Sequence, residues 1–218
     1  MLYVVATPIG NLEDITLRAL RILKEVDVIL AEDKRRTGKL LKRYNIKNIQ
    51  QIYNDHNKER RTKNIIQMLK KGKDIALASD SGTPGINDPG FYLIRACIKE
   101  DIKVSPVPGP NAAISALAAS GLPTDRFTYY GFVPKKEKKA KELFKKIKLL
   151  KESAIFYESP HRIKNTLKIM SEIAPTKQIV IAREITKKFE EFIRGEVKEV
   201  EDRLKNRKIK GELVIILN

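Results

Sequence analysis

The stretch IALASDSGTPGINDP, residues 75–89, sets four apolar residues directly ahead of a segment rich in Gly, Pro, Asp and Asn. The apolar run reads as a buried strand, and the remainder reads as a loop at its carboxyl end. Gly82 and Gly85 open backbone conformations closed to other residues, while Pro84 and Pro89 fix their own dihedral angles. With few side chains in the way, main-chain N–H and C=O groups can approach a small molecule, which is the composition of a cofactor cradle. The same composition also suits an ordinary turn between a strand and a helix.

Two further loops of this kind occur in the first half of the chain. ATPIGNLEDIT, residues 6–16, follows the apolar run LYVVA, and PVPGPNAAISA, residues 106–116, turns a short strand into an Ala-rich helix. Open α/β sheets bind ligands at the carboxyl ends of their strands, so three such loops point to one site shared between them. No GxxxxGK[ST] and no GxGxxG opening a helix is present, which argues against a P-loop NTPase and against a dinucleotide fingerprint.

Outward from these loops the chain alternates. Strands are predicted at about 2–6, 27–31, 50–52, 74–78 and 103–106, with helices at about 16–24, 36–44, 58–71, 89–99 and 110–119. That pattern predicts a mostly parallel α/β domain over residues 1–120. After Gly121-Leu122-Pro123 strands outnumber helices: FTYYGFV, SAIFY, QIVIA and ELVIIL are separated by a basic helix, a helix after Pro160 and the segment KFEEFIRG. Residues 121–218 therefore read as a second α/β domain with a mixed sheet.

Composition narrows the function classes. The single cysteine, Cys97, lies in the helical pattern LIRACI and reads as a small buried apolar residue, so no disulfide framework is expected. His56 and His161 have no companion cysteine and no ligand spacing, so no metal is expected. No run of 18 apolar residues occurs, and the opening MLYVVATPIG lacks a signal peptide's basic region and apolar length. A soluble, cytoplasmic protein without a membrane partner is the expectation.

The formal net charge of +17 is the stronger compositional signal, and both halves are positive. The densest run, Lys135–Lys151, carries nine Lys against two Glu on one predicted helix, with Leu143, Phe144, Ile147 and Leu150 as its apolar stripe. A lysine-rich solvated face of the kind found in heat-adapted proteins is one reading, and a polyanion surface is the other. A second cluster, Lys34, Arg35, Arg36, Lys39, Lys42 and Arg43, follows a predicted strand end and strengthens the polyanion reading.

The ordered set TPIGNLEDIT, AEDKRRT, SDSGTPGINDPG, VPGPNAA, GLPTDRF, GFVPKK, FYESPHR, AREITK and GELVII spans essentially the whole chain. It resembles the family that methylates a ribose 2′-hydroxyl of a cytidine in the decoding region of bacterial 16S ribosomal RNA, within the tetrapyrrole-methylase superfamily. Nine motifs in order make the match specific. The resemblance implies two α/β domains with S-adenosyl-L-methionine in the cleft between them, a small-ribosomal-subunit substrate and a homodimer. It assigns cofactor contacts to Pro8, Asp80, Ser81, Gly82, Thr83, Ile86, Asn111 and Ala112, and, in the second domain, to Tyr157, Ala182 and Leu213. AEDKR stands where the family usually has AEDTR, and many members continue beyond the last strand found here.

A sulfonium methyl is already activated, so transfer to oxygen needs in-line positioning, exclusion of water and a base for the hydroxyl proton. Asp33 is the first candidate base, because it ends the strand VILAED beside the cationic cluster, with Glu32 its neighbour on the other strand face. A carboxylate merely paired with Arg35 or Arg36 is the competing reading for Asp33. Glu158 and His161 of YESPHR are further candidates, although Ser159 and Pro160 there read as an N-cap and first helical position. RNA contacts are expected at Lys34, Arg35, Arg36, Lys39 and Arg43. A methyltransferase acting on a tetrapyrrole or a modified protein residue, and a non-catalytic RNA-binding module using Tyr129, Tyr130 and Phe132, are the alternatives.

Overall fold

The computed structural model describes residues 1–218, which form two compact units, Met1–Asn111 and Ala112–Asn218. The sequence boundary at residue 120 placed the Ala-rich helix with the first domain. In the structure that helix, Ala112–Ala118, falls in the second unit, its buried face being Ala113, Ala116 and Leu117.

The first unit holds strands β1 (Leu2–Val5), β2 (Val28–Ala31), β3 (Gln50–Ile52), β4 (Ile75–Ala78) and β5 (Val104–Val107). Helices α1 (Leu17–Glu25), α2 (Lys34–Arg43), α3 (Lys58–Lys70) and α4 (Gly90–Lys99) alternate with them. The strands lie in the order β3-β2-β4-β1-β5, and every pairing is parallel. Every residue of VILA and IALA is buried, as parallel strands covered on both faces require.

One face of this sheet packs Val5, Ile29, Ala76 and Ala78 against Ile22 and Leu23 of α1 and Leu40 and Leu41 of α2. The other packs Leu2, Leu30, Ile75 and Leu77 against Ile65 and Leu69 of α3 and Leu93 and Cys97 of α4. Right-handed crossovers produce this division, because the chain first moves one way along the sheet and then returns. Central strand β4 thus sits between β1 and β2, whose helices cover the face opposite α4. Loops from adjacent strands leave on opposite faces there, opening the crevice in which open α/β sheets hold ligands.

The second unit holds α5 (Ala112–Ala118), β6 (Phe127–Phe132), α6 (Glu137–Lys148), β7 (Ser153–Glu158), α7 (Ile163–Ile173), β8 (Gln178–Arg183), β9 (Glu191–Glu196), α8 (Val197–Leu204) and β10 (Leu213–Leu217). Its sheet runs β6-β7-β10-β8-β9, with β6 and β7 parallel and the rest antiparallel. The expected mixed sheet is therefore present. KFEEFIRG contains all of β9 but its last residue, Glu196, and the strand pairs antiparallel with β8 across a loop where Glu184 and Thr186 take φ of 52° and 65°.

Two local expectations shift. The buried stripe of α6 is Ala140, Phe144 and Ile147, with Leu143 and Leu150 only partly covered, because Ala140 continues the i, i+4, i+7 spacing. Helix α7 begins at Ile163 rather than Pro160. Ser159 still opens the turn that leads into it, its hydroxyl accepting from the His161 amide at 3.2 Å and its carbonyl from the Ile163 amide at 3.0 Å.

Candidate active site

The three Gly/Pro loops meet at the carboxyl ends of β4, β1 and β5, which are neighbours in the sheet although distant in sequence. Thr7 and Gly82 exchange both backbone hydrogen bonds, at 2.9 and 3.0 Å. The Thr7 hydroxyl donates to the Ser79 carbonyl at 3.1 Å, and the Thr83 hydroxyl donates to the Pro110 carbonyl at 3.3 Å. Asn111 Nδ2 donates to Thr83 Oγ1 at 3.4 Å, so the loop after β4 is stitched to both others.

Two glycines take their role from this stitching. Gly82 has φ +82°, the left-handed region that favours glycine, and it holds that conformation inside the Thr7 exchange. A Cβ on Gly109 would lie 3.0 Å from the Ala6 Cβ, so its missing side chain lets one loop seat against another. Surface for a ligand comes from their neighbours: Ser81 and Ile86 are exposed, and Pro8, Thr83 and Asn111 are half-buried. A small polar cofactor with an apolar part fits this rim of hydroxyl, amide and aliphatic groups around constrained main chain.

Beside the cradle, at the end of β2, the two sequence candidates differ sharply. Asp33 caps α2, accepting from the Arg35 amide at 2.8 Å, and its second oxygen pairs with the Arg35 guanidinium at 2.7 Å. The Arg35 side chain, followed by its amide, holds the Asp33 carboxyl down at about 2. Glu32 moves the other way: burial, with the Asp80 carboxylate adding to it, raises its pKa. Glu32 and Asp88 line a small pocket with Tyr53, Ser79 and Pro84. Burial first and the Glu32 charge second push the Asp88 carboxyl up to about 6.

Asp80 spans the β2 and β4 loops. Its Oδ1 accepts from the Asp33 amide at 2.9 Å, its Oδ2 lies 3.5 Å from Arg36 Nε, and its own amide donates to Glu32 at 3.5 Å. Lys34, Arg35, Arg36, Lys39, Lys42 and Arg43 are all exposed along α2, whose buried side is Thr37, Leu40 and Leu41.

In the second unit Tyr157, Ala182 and Val214 are direct neighbours across β7, β8 and β10, with Leu213 one position before. Ala182 and Leu213 are buried, whereas Tyr157 is half-buried and packs edge-on against Tyr129 and Phe132 at ring separations of 5.3 and 5.6 Å. Glu158 is buried and fully committed within the protein. Its oxygens accept from the Ser159 amide at 2.6 Å, the Arg162 guanidinium at 2.8 Å and the Thr166 hydroxyl at 2.7 Å. That pattern fixes the start of α7. His161 is exposed.

The tetrapyrrole (corrin/porphyrin) methylase family matches residues 1–201. Ribosomal RNA small subunit methyltransferase I of Hydrogenobaculum sp. (strain Y04AAS1) is 52% identical over 221 residues, covering 100% of this chain and 95% of that protein. The protein of the same name from Thermotoga maritima is 46% identical over 217 residues, covering 100% of this chain and 97% of its own length. That from Halalkalibacterium halodurans is 49% identical over 216 residues, with 99% and 75% covered. The chain belongs to the ribosomal RNA small subunit methyltransferase I family of the tetrapyrrole methylases. The resemblance carried by the nine motifs is borne out, and this methylase is an enzyme.

Among solved structures, diphthine synthase superposes on this methylase with a TM-score of 0.77 at 13% identity, covering 99% of this chain and 89% of that one. Uroporphyrin-III C-methyltransferase from Thermus thermophilus, complexed with S-adenyl homocysteine, gives 0.65 at 19% identity, covering 99% and 96%. Both likenesses show the fold. The sequence reading overlooked Asp88 and Tyr53 of the pocket beside Glu32. Asp88 lies in the opening stretch of sequence, but there it reads only as a turn residue, and its burial against β2 depends on strand order.

Proposed function

We propose that this methylase transfers the methyl group of S-adenosyl-L-methionine to the 2′-hydroxyl of a cytidine in the decoding region of 16S ribosomal RNA. We place it in the cytoplasm, acting as a homodimer. The observation that carries the reading is the stitched set of loops after β1, β4 and β5 lying alongside the exposed cationic face of α2. One part suits a cofactor held by main chain, and the other suits the phosphates of a large RNA.

The cofactor supplies a methyl group already activated by its sulfonium. Pro8, Ser81, Thr83, Ile86 and Asn111 hold it around the turn that Gly82 shapes, with the stitched loops fixing their positions before it arrives, so that little ordering remains for binding to drive. Lys34, Arg35, Arg36, Lys39 and Arg43 draw in the RNA and fix its register through phosphate contacts, leaving sequence choice to other contacts. The hydroxyl proton passes to Glu32 rather than Asp33. A base held near 2 has little proton affinity at neutral pH, whereas a half-buried carboxylate facing another negative charge has more.

Incubating the purified chain with methyl-tritiated cofactor and small ribosomal subunits, then digesting the RNA to nucleosides, tests the proposal. The expected product is 2′-O-methylcytidine from a decoding-region fragment. Label recovered on a base, on ribosomal protein or nowhere would overturn it.

A further inference from the structure

We infer that Asp80 is a positioning residue that clamps the RNA-gripping start of α2 to the cofactor loop after β4, an inference that rests on the function proposed above. The clasp is reciprocal. The Asp80 carboxylate takes the Asp33 amide at 2.9 Å, and the Asp80 amide reaches back to the Glu32 carboxylate at 3.5 Å. Strands β2 and β4 are adjacent and parallel, so their carboxyl-end loops emerge side by side and each can bond the other's main chain.

Asp33 is the N-cap of α2, and its carbonyl accepts from the Arg36 and Thr37 amides at 3.1 Å each. Fixing the Asp33 amide therefore fixes the first turn of the helix. The second Asp80 oxygen faces Arg36 at 3.5 Å, so one carboxylate sets both the backbone and a cationic arm of the RNA surface. At its far side the same loop is bonded to Thr7 and Pro110. A shift of that loop on cofactor binding has a direct mechanical route to Arg36. By linkage, whatever RNA gains from bound cofactor, cofactor gains equally from bound RNA. The resemblance implied a cofactor contact for Asp80, but its oxygens are turned to Asp33 and Arg36, so it acts on the reaction mainly through α2, with its charge adding to the burial that raises Glu32.

Asp80→Ala and Asp80→Asn separate these roles, because asparagine still offers Oδ1 to the Asp33 amide while lacking the charge that Arg36 faces. For Asp80→Ala we expect KM for small subunits to rise about tenfold with kcat falling less than about threefold, as loss of positioning rather than of chemistry requires. Cofactor affinity without RNA should stay within about twofold, Asp33 amide exchange should quicken, and Asp80→Asn should recover most of the KM. Cofactor affinity that falls in step with activity would make Asp80 a cofactor contact and overturn the inference. An unchanged KM in Asp80→Ala, with the parent fully active, would also overturn it and leave the proposed function standing. A parent that neither binds the cofactor nor methylates ribosomal RNA would remove the proposed function, and this inference with it.

Discussion

Thr7 and Gly82 exchange amide and carbonyl across 2.9 and 3.0 Å, joining two loops separated by most of the first unit's sequence. A two-way backbone exchange fixes distance and orientation together, so each loop serves as the template for the other. Gly82 meets this demand only with φ +82°.

A Gly82→Val substitution asks a β-branched residue to hold that dihedral, with its Cβ about 3.5 Å from Ile9 Cγ2. The backbone strain should cost about 1–3 kcal/mol, visible as a lower Tm, without unfolding the chain. Cofactor binding by calorimetry should be abolished, since relief of the strain means breaking the exchange that shapes the cradle. Parent-like affinity in Gly82→Val would remove the cradle assignment.

The strand-then-loop units, the parallel sheet and the basic helix were all readable from local pattern, because each depends on residues within one element. What escaped the sequence depends on strand order. Asp80 reaching Asp33, and Asp88 facing Glu32, require β2 and β4 to be neighbours, and nothing within either strand says so. Glu158 went astray for a different reason: its commitments are local, to Ser159, Arg162 and Thr166, at spacings that a helix start accounts for. In YESPHR the carboxylate is buried and taken up by the turn that leads into α7, while His161 is exposed.

Asp88 should weaken the fold at neutral pH. Its folded pKa of about 6 lies above the ordinary carboxylate value, so the folded protein holds the proton more tightly than the unfolded chain. Stability from this group is full below about pH 4 and is lost as the pH rises through 6. Asp88→Asn, which never ionises, should therefore be more stable than the parent at pH 7, by about 1–2 kcal/mol once solvent screening of this half-exposed group is allowed for. Denaturant midpoints at pH 7 and pH 4 check this, and a gain that persists undiminished at pH 4 would exclude titration as its source.

The two carboxylates at the end of β2 should part company under mutation. Glu32→Gln removes the proton acceptor, and single-turnover methylation at saturating RNA should slow by about 10²–10⁴-fold with cofactor affinity retained. Asp33→Asn keeps a good N-cap and loses only a weakly basic carboxylate, so its rate should stay within about threefold of the parent. The reverse order of effects would return the proton to Asp33.

The same Asp33→Asn substitution should strengthen RNA binding. In the parent the Asp33 carboxylate holds the Arg35 guanidinium at 2.7 Å, although that side chain is 89% exposed. Removing the carboxylate's charge frees a cation and deletes an anion beside the phosphate path. On single-stranded RNA each phosphate contact contributes a slope of about −0.7 in log K against log salt concentration. Asp33→Asn should steepen the measured slope by up to about one contact, whereas Arg35→Ala with Arg36→Ala should flatten it by roughly one to two contacts. Filter binding of small-subunit RNA across a salt series reads both changes. If neither variant moves the slope, the RNA lies against another cationic surface, and the lysine face of α6 becomes the one to reverse in charge.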